Sequence, residues 1–307
     1  MPNYTYSETH VLKNKLGIRD ETELEIAEGK FTAARDAERG DRPIDDGAFD
    51  AARLKTIHWH LFQDVYEWAG HTRDEAVALS DGTTATEPTL RKLGGGAFLR
   101  GELIASALVV VSARISDEKN LAGLSREVFA DRAADIMAEL NAVHPFREGN
   151  GRTQRTFMRE LAASAGHTLD FTVISQERMI RSSVAANEGY DRSLMQRMFR
   201  DISNPERVAA LRQAIGFFDE QHFPWNDHYL ATIEPGHRLE LTMAGMAGEH
   251  FLARTRSEIL VGNTSDLPAA RPERGENFVL EAKDLTKEVG DGRNTPVERD
   301  KGGGRGR

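Results

Sequence analysis

The residues best suited to chemistry lie within one short string, His144 to Arg155, which reads HPFREGNGRTQR. An imidazole such as that of His144 has an ordinary pKa near ~6.5, suited to taking a proton at neutral pH. Gly149 and Gly151, on either side of Asn150, permit positive φ and place no Cβ in the way. Successive backbone N–H groups there can face inward as an anion nest. Arg152 and Arg155 follow one helical turn apart, near the positive end of the next helix, and can fork onto phosphate oxygens. So much positive potential needs an anionic ligand, and a di- or triphosphate fits. Glu148 is out of place beside an anion unless it holds a divalent metal. Mg²⁺ held by one carboxylate, phosphate oxygens and water is the usual arrangement. Each part has a plainer reading: a histidine before a turn is more often structural, and two arginines on a helix usually form a solvated face. Their joint order and spacing set them apart.

Two helices must position this string. The first is predicted from about Arg126 to Asn141, with Val128, Phe129, Ala133, Ile136, Met137 and Leu140 on one face. Pro145 cannot continue it and turns the chain at His144. The second starts near Gly151 with Asn150 as its candidate N-cap. Phe157, Met158, Leu161 and Ala165 line its inner face, and Gly166 stops it.

The string resembles the signature of Fic-domain proteins, HPFx(D/E)GNGRxxR, with every fixed position filled. The resemblance implies a mainly α bundle with a β-hairpin flap. It also implies transfer of AMP from ATP to a Tyr, Thr or Ser hydroxyl of a target protein. His144 resembles the general base of that family, Glu148 its Mg²⁺ ligand, and Gly149, Asn150 and Gly151 the nest around the α- and β-phosphates. Arg152 resembles the β-phosphate clamp, Arg155 the γ-phosphate contact, and Phe146 the aromatic that anchors the loop. The run VYEWAGHTR, Val65 to Arg73, extends the similarity. The resemblance also implies that a flap, at about Val77 to Glu87, adds the target's backbone as a strand.

Many Fic proteins are restrained by a helix with the pattern (S/T)xxxE(G/N). Glu28, Glu148, Glu188 and Glu276 precede Gly or Asn here, but Leu24, His144, Val184 and Pro272 stand four places earlier. The chain is therefore unrestrained, or a separate small antitoxin reaches Arg155. Two rival functions are a nucleotide-binding adaptor without catalysis and a phosphoryl-transferring variant. The intact Gly-Asn-Gly core argues against the second.

The chain has 307 residues, 39% hydrophobic and 29% charged, with a net charge of −9 and no cysteine. The acidic balance argues against nucleic acid or an anionic membrane as the main partner. Without cysteine there is no disulfide or thiol chemistry. No signal peptide and no membrane-spanning run is visible, and the resemblance implies the bacterial cytoplasm, with secretion into a host or recipient cell, as the location.

Four regions are expected. Residues 1–40 form a helical extension, with Glu21–Gly40 helical and Leu24, Ile26, Ala27 and Phe31 inward. Residues 41–222 form the Fic domain. Within it a helix runs from Phe49 to Phe62, capped by Asp46 or Asp50, and later helices span Glu102–Ile115, Ser175–Ala186, Asp191–Ile202 and residues 206–222. Met179, Ile180, Leu194, Met198 and Phe199 are expected to close its core. Tyr66 and Trp68 are read as core, and His58 and His60 as structural rather than metal-binding. Residues 90–98, LRKLGGGAF, read as a glycine hinge. Residues 223–282 alternate like a small β domain, similar to the OB-like barrel that follows the Fic domain in some type IV secretion effectors. Residues 283–307 are charged and glycine-rich, a disordered tail by composition.

Overall fold

The structure is a computed structural model that describes residues 4–7, 9–40, 48–91, 97–189, 191–236, 238–281 and 283. The helices are α1 (Glu21–Arg39), α2 (Ala51–Phe62), α3 (Ile104–Asp117), α4 (Arg126–Val143), α5 (Asn150–Ser164), α6 (Gln176–Glu188), α7 (Ser193–Ser203) and α8 (Pro205–Glu220). Short polar side chains start several of them. Asp20, Asp50, Ser125, Ser175 and Asn204 each accept a hydrogen bond from a first-turn N–H of α1, α2, α4, α6 and α8. Asp46 lies outside the described residues, as do residues 92–96 of the expected hinge and 284–307 of the expected tail.

Helix α4 runs through the middle and packs against α3, α5, α6 and α7. Its buried side alternates large and small residues: Phe129, Ile136, Met137 and Leu140 with Ala130, Ala133, Ala134 and Ala138. The alanines let neighbouring helices approach closely, and the large residues fill the grooves between them. Val128, expected inside, is exposed. It sits in the first turn, beyond the reach of the surrounding helices.

Helix α1 departs further from expectation. Ile26 and Phe31 are exposed, while Leu24, Glu28, Thr32 and Arg39 are buried. The inward stripe keeps helical spacing, but most of it is polar. It is satisfied across the interface: Arg39 and Arg53 both pair with Glu160 of α5. On α6, Ile180 is likewise exposed and Arg178 and Ser182 face inward. Met198 and Phe199 of α7 are core, as expected.

A small hairpin, β1 (Val77–Ala78) and β2 (Thr84–Ala85), projects between α2 and α3. After α8 come β3 (Leu230–Thr232), β4 (Arg238–Ala247), β5 (His250–Arg254), β6 (Ile259–Asn263) and β7 (Asn277–Glu281), in the spatial order β3-β6-β5-β4-β7. Among the described residues only β3–β6 is parallel, and β3 and β7 stand at the two ends of the strand order. Alternation sorts its side chains. Leu230, Leu252, Ile259 and Val261 join the helical core through α8, whereas Tyr229, Ala231, Phe251, Ala253 and Leu260 build a second cluster on the opposite face. A buried polar seam crosses the junction: Asp201 of α7 accepts from Arg178 of α6 (2.8 Å), Arg207 of α8 (3.1 Å) and the backbone N–H of Thr232 in β3 (3.1 Å). The sheet therefore shares its core with the helices.

Candidate active site

The turn between α4 and α5 is held by its backbone. His144 caps α4 in the left-handed region, at φ 47° and ψ 62°, with its N–H bonded to Leu140 O at 3.1 Å. Such a conformation costs a non-glycine residue about 1 kcal/mol and persists only when its surroundings fix it. Arg73 does so. Its fully buried guanidinium donates to the carbonyls of His144 (3.0 Å), Glu87 (3.3 Å), Pro88 (2.8 Å) and Leu99, and its own N–H bonds Pro145 O at 2.8 Å. The His144 imidazole is half-buried and lies against the ring of Phe98, centroids 3.7 Å apart and planes 10° from parallel.

Asn150 is not the N-cap that sequence suggests. Its Oδ1 accepts from Phe146 N–H (3.0 Å) and its Nδ2 donates to Phe146 O (2.8 Å), closing the loop on itself. The cap position is taken by Gly149, at φ 82°, with no side-chain hydrogen bond to the first turn. The leading N–H groups of α5 are thus left for an external anion. Gly149 meets a second constraint: a Cβ there would lie 2.3 Å from Cζ of Phe62.

Phe146 is buried and stacks on the His58 ring at 3.9 Å, so it supports the loop from within. His58 bridges two elements, accepting from Gly70 N–H at Nδ1 (2.8 Å) and donating from Nε2 to Glu148 O (3.0 Å). Burial pushes its pKa down to about 3, so the ring is neutral and its tautomer is set by these two bonds. His58 is structural, as expected, but it bears directly on the loop.

The two arginines differ. Arg152 pairs with Glu28 of α1, lies 4.9 Å over the Phe62 ring, and approaches Thr32 Oγ1 (3.4 Å) and Glu148 (3.6 Å). Glu28 also accepts from the Tyr66 hydroxyl. Burial raises the Glu28 pKa above its ordinary value, against the opposing pull of Arg152 and Tyr66. Arg155 has no carboxylate within ion-pairing distance among the described residues. Burial, then the like charges of Arg152 and Arg159, lower its pKa. Arg152 and Arg155 line one cleft of about 990 Å³, walled by α1, α5, α8 and residues 168–172. His144, Glu148 and the Gly149–Gly151 turn do not line it, so the site falls into two parts that meet at Arg152.

Glu148 is half-exposed at the lip of the turn, and its Oε1 accepts from Gly149 N–H at 2.8 Å. No group of three metal-ligating side chains occurs among the described residues. One carboxylate at an anion nest fits a cation whose other ligands are phosphate and water, the arrangement Mg²⁺ favours.

The flap lies where expected, with Val77 opposite Ala85 and Ala78 opposite Thr84. It is braced from several sides. Lys13 reaches Asp81 (2.9 Å) and Thr83 (2.7 Å), Glu67 accepts from Ser80 N–H (2.8 Å), and Arg147 pairs with Glu87 (2.6 Å). The sequence assigns Glu28, Arg73 and Phe98 no role at the site. For Glu28 the only sequence signal was the following Gly29, and for Arg73 its place at the end of VYEWAGHTR.

Residues 48–162, which include this turn, match the family model described as Fic/DOC family. The chain is 36% identical over 267 residues to a protein adenylyltransferase of Bartonella henselae. That alignment takes in 87% of this chain and 49% of the relative, so the chain spans about half the length of that curated protein. Among solved structures, the type IV secretion system effector protein BepA superposes with a TM-score of 0.85 at 34% identity, covering 92% of this chain and 96% of that one. BepC of Bartonella tribocorum, solved with bound AMPPNP, gives a TM-score of 0.64 at 39% identity, covering 66% and 96%. The chain belongs to the Fic/DOC family. Its fold is the mainly helical one of BepA, followed by a small sheet.

Proposed function

We propose that the chain is a protein adenylyltransferase that moves AMP from ATP to a Tyr, Thr or Ser hydroxyl of a target protein. The observation that carries this reading is the uncapped start of α5 beside Arg155, a half-buried cation with no ion-pair partner among the described residues. Such a site is completed by an anion. The polyphosphate lies along the Gly149–Gly151 turn, with Arg152 and Arg155 forking onto its outer phosphates. Bound Mg²⁺, held by Glu148, would neutralise phosphate charge.

His144 takes the proton of the target hydroxyl. The oxygen attacks the α-phosphorus, the bond from that phosphorus to the bridging oxygen breaks, and pyrophosphate leaves. Positioning and charge stabilisation by the turn supply most of the acceleration. The braced hairpin offers its edge to the target's backbone as an added strand, which carries the hydroxyl to His144. A carboxylate of a separate small antitoxin, inserted into the cleft that Arg155 lines, would compete for the γ-phosphate contact. Similarity to BepA, named as a type IV secretion system effector, supports a role as an effector delivered into another cell.

The test is labelling of bacterial and human-cell lysates with ATP tagged on adenine. His144→Ala should lose about 10²- to 10⁴-fold of the labelling rate while still binding ATP. Labelling that persists in this variant overturns the assignment of the base. A mass gain of one phosphoryl group on the target would replace nucleotidyl transfer with phosphoryl transfer. Absence of any turnover would leave a nucleotide-binding adaptor.

A further inference from the structure

The backbone bonds around His144 fix its Cα but not its ring. Rotation about the bond that carries an imidazole is broad and roughly two-fold, so the ring plane needs a separate constraint. One is present 46 positions upstream in the chain: the Phe98 ring, 3.7 Å away and 10° from parallel. Phe98 is itself held. Its N–H bonds Leu90 O at 3.0 Å, and the carbonyl of the next residue, Leu99, accepts from Arg73. The same guanidinium holds the carbonyl of His144. The imidazole and the ring that stacks on it therefore hang from one buried arginine, and their separation is set by a single rigid group.

We propose that Phe98 is a positioning residue for the transfer reaction: by stacking on one face of His144 it holds the imidazole plane in which a ring nitrogen meets the target hydroxyl. The proposal rests on His144 being the base of the reaction above. Phe98 belongs to the segment that leaves the flap, so it also links the ring to the element expected to hold the target. The phosphate ligands lie beyond it, on Gly149 to Arg155. Loss of the stack should thus slow the chemical step without changing the affinity for ATP. Misplacement of a reacting group by about 1 Å can cost on the order of 10²-fold.

The test compares wild type with Phe98→Leu, which keeps an apolar side chain but no flat face, and Phe98→Tyr, which keeps the face. Initial rates of adenine-tagged ATP transfer into a fixed lysate, over a range of ATP concentrations, give apparent kcat and KM. Phe98→Leu should lower apparent kcat by about 10- to 100-fold with KM for ATP within about twofold, and Phe98→Tyr should restore kcat. An unchanged kcat in Phe98→Leu, a loss carried by KM, or no rescue by tyrosine would overturn the proposal. A second measurement needs no turnover: the His144 ring protons, assigned by their loss in His144→Gln, should be shifted upfield by the Phe98 ring current in wild type. Their appearance at unstacked positions overturns it. If wild type transfers no nucleotide while this shift is present, the enzymatic reading fails and the stack stands.

Discussion

Arg152, the first arginine of the turn, is paired with Glu28, a buried carboxylate on a helix 124 residues earlier in the chain. A polyphosphate on the turn must share that guanidinium with Glu28. Removing one negative charge at this distance should favour the anion by on the order of 1 kcal/mol. Glu28→Gln keeps the shape and the Tyr66 contact, so it should tighten ADP or ATP binding about fivefold in calorimetric titration. Weaker binding would show instead that Glu28 orients Arg152 for the phosphate.

Arg155 stands in the opposite condition, half-buried beside Arg152 and Arg159, with no carboxylate in ion-pairing distance among the described residues and only the weaker, more distant pull of Asp36 to offset them. Arg155→Gln relieves that repulsion, so the ligand-free protein should melt about 2–4 °C higher if ~1 kcal/mol is recovered. The same variant should lose most of the stabilisation that ATP gives the wild type. A lower melting temperature without ligand would mean that an unseen partner already neutralises the guanidinium.

His58 makes stability fall with acidity. Burial holds its folded pKa near 3, against an ordinary value near ~6.5 in the unfolded chain. Its contribution is complete above about pH 6.5 and is lost as pH falls toward 3, because only the unfolded chain takes up the proton. The slope reaches about 1.4 kcal/mol per pH unit. Glu28, whose pKa is raised by burial, acts in the other direction, so the comparison should be between wild type and His58→Gln. Urea melts between pH 7 and 5 should show the variant losing less stability than wild type. Parallel losses would place the acid sensitivity elsewhere.

Asp201 closes the seam between helices and sheet. Burial pushes its carboxyl up, but Arg178 and Arg207 outweigh this and hold it below the ordinary range. Asp201→Asn leaves two buried guanidinium groups without their carboxylate and should cost about 3–5 kcal/mol in urea unfolding. A cost below about 1 kcal/mol would mean that water enters the junction.

Lys13 braces the flap through Asp81 and Thr83 without touching the turn. In Lys13→Ala, labelling of a lysate target should need a higher target concentration while the ATP dependence stays constant. Equal titration curves for both variants would show that the hairpin keeps its shape unaided.

What could be read from the chain divides along physical lines. His144 to Arg155 was legible because an anion nest, a base and two arginines demand particular residue types at fixed spacing. Helix α2 is legible because four of its buried positions, Leu54, Ile57, Leu61 and Phe62, are apolar at helical steps, although Arg53 and His58 are buried beside them. The apolar pattern of helix α1 misleads because, beside Leu24, its inward stripe is Glu28, Thr32 and Arg39, and polar residues are inward only when distant partners satisfy them. Local preference points Asn150 to the helix cap, yet it binds Phe146 instead. Phe98 and Arg73 act through contacts with the turn that no local pattern encodes. The sharing of the core between α8 and the sheet was hidden for a similar reason: alternation shows that a strand has two faces, not what each face will meet.

Gly149 is fixed from two independent directions, by a backbone angle that side chains resist and by the Phe62 ring lying where a first side-chain carbon would stand. Sequence drift at this spot is therefore a two-body problem. Shrinking Phe62 alone would clear the space but leave the backbone objection intact, and it would remove the aromatic floor beneath Arg152. A lineage that lost this glycine should be expected to have abandoned nucleotide handling altogether, rather than to have found a substitute.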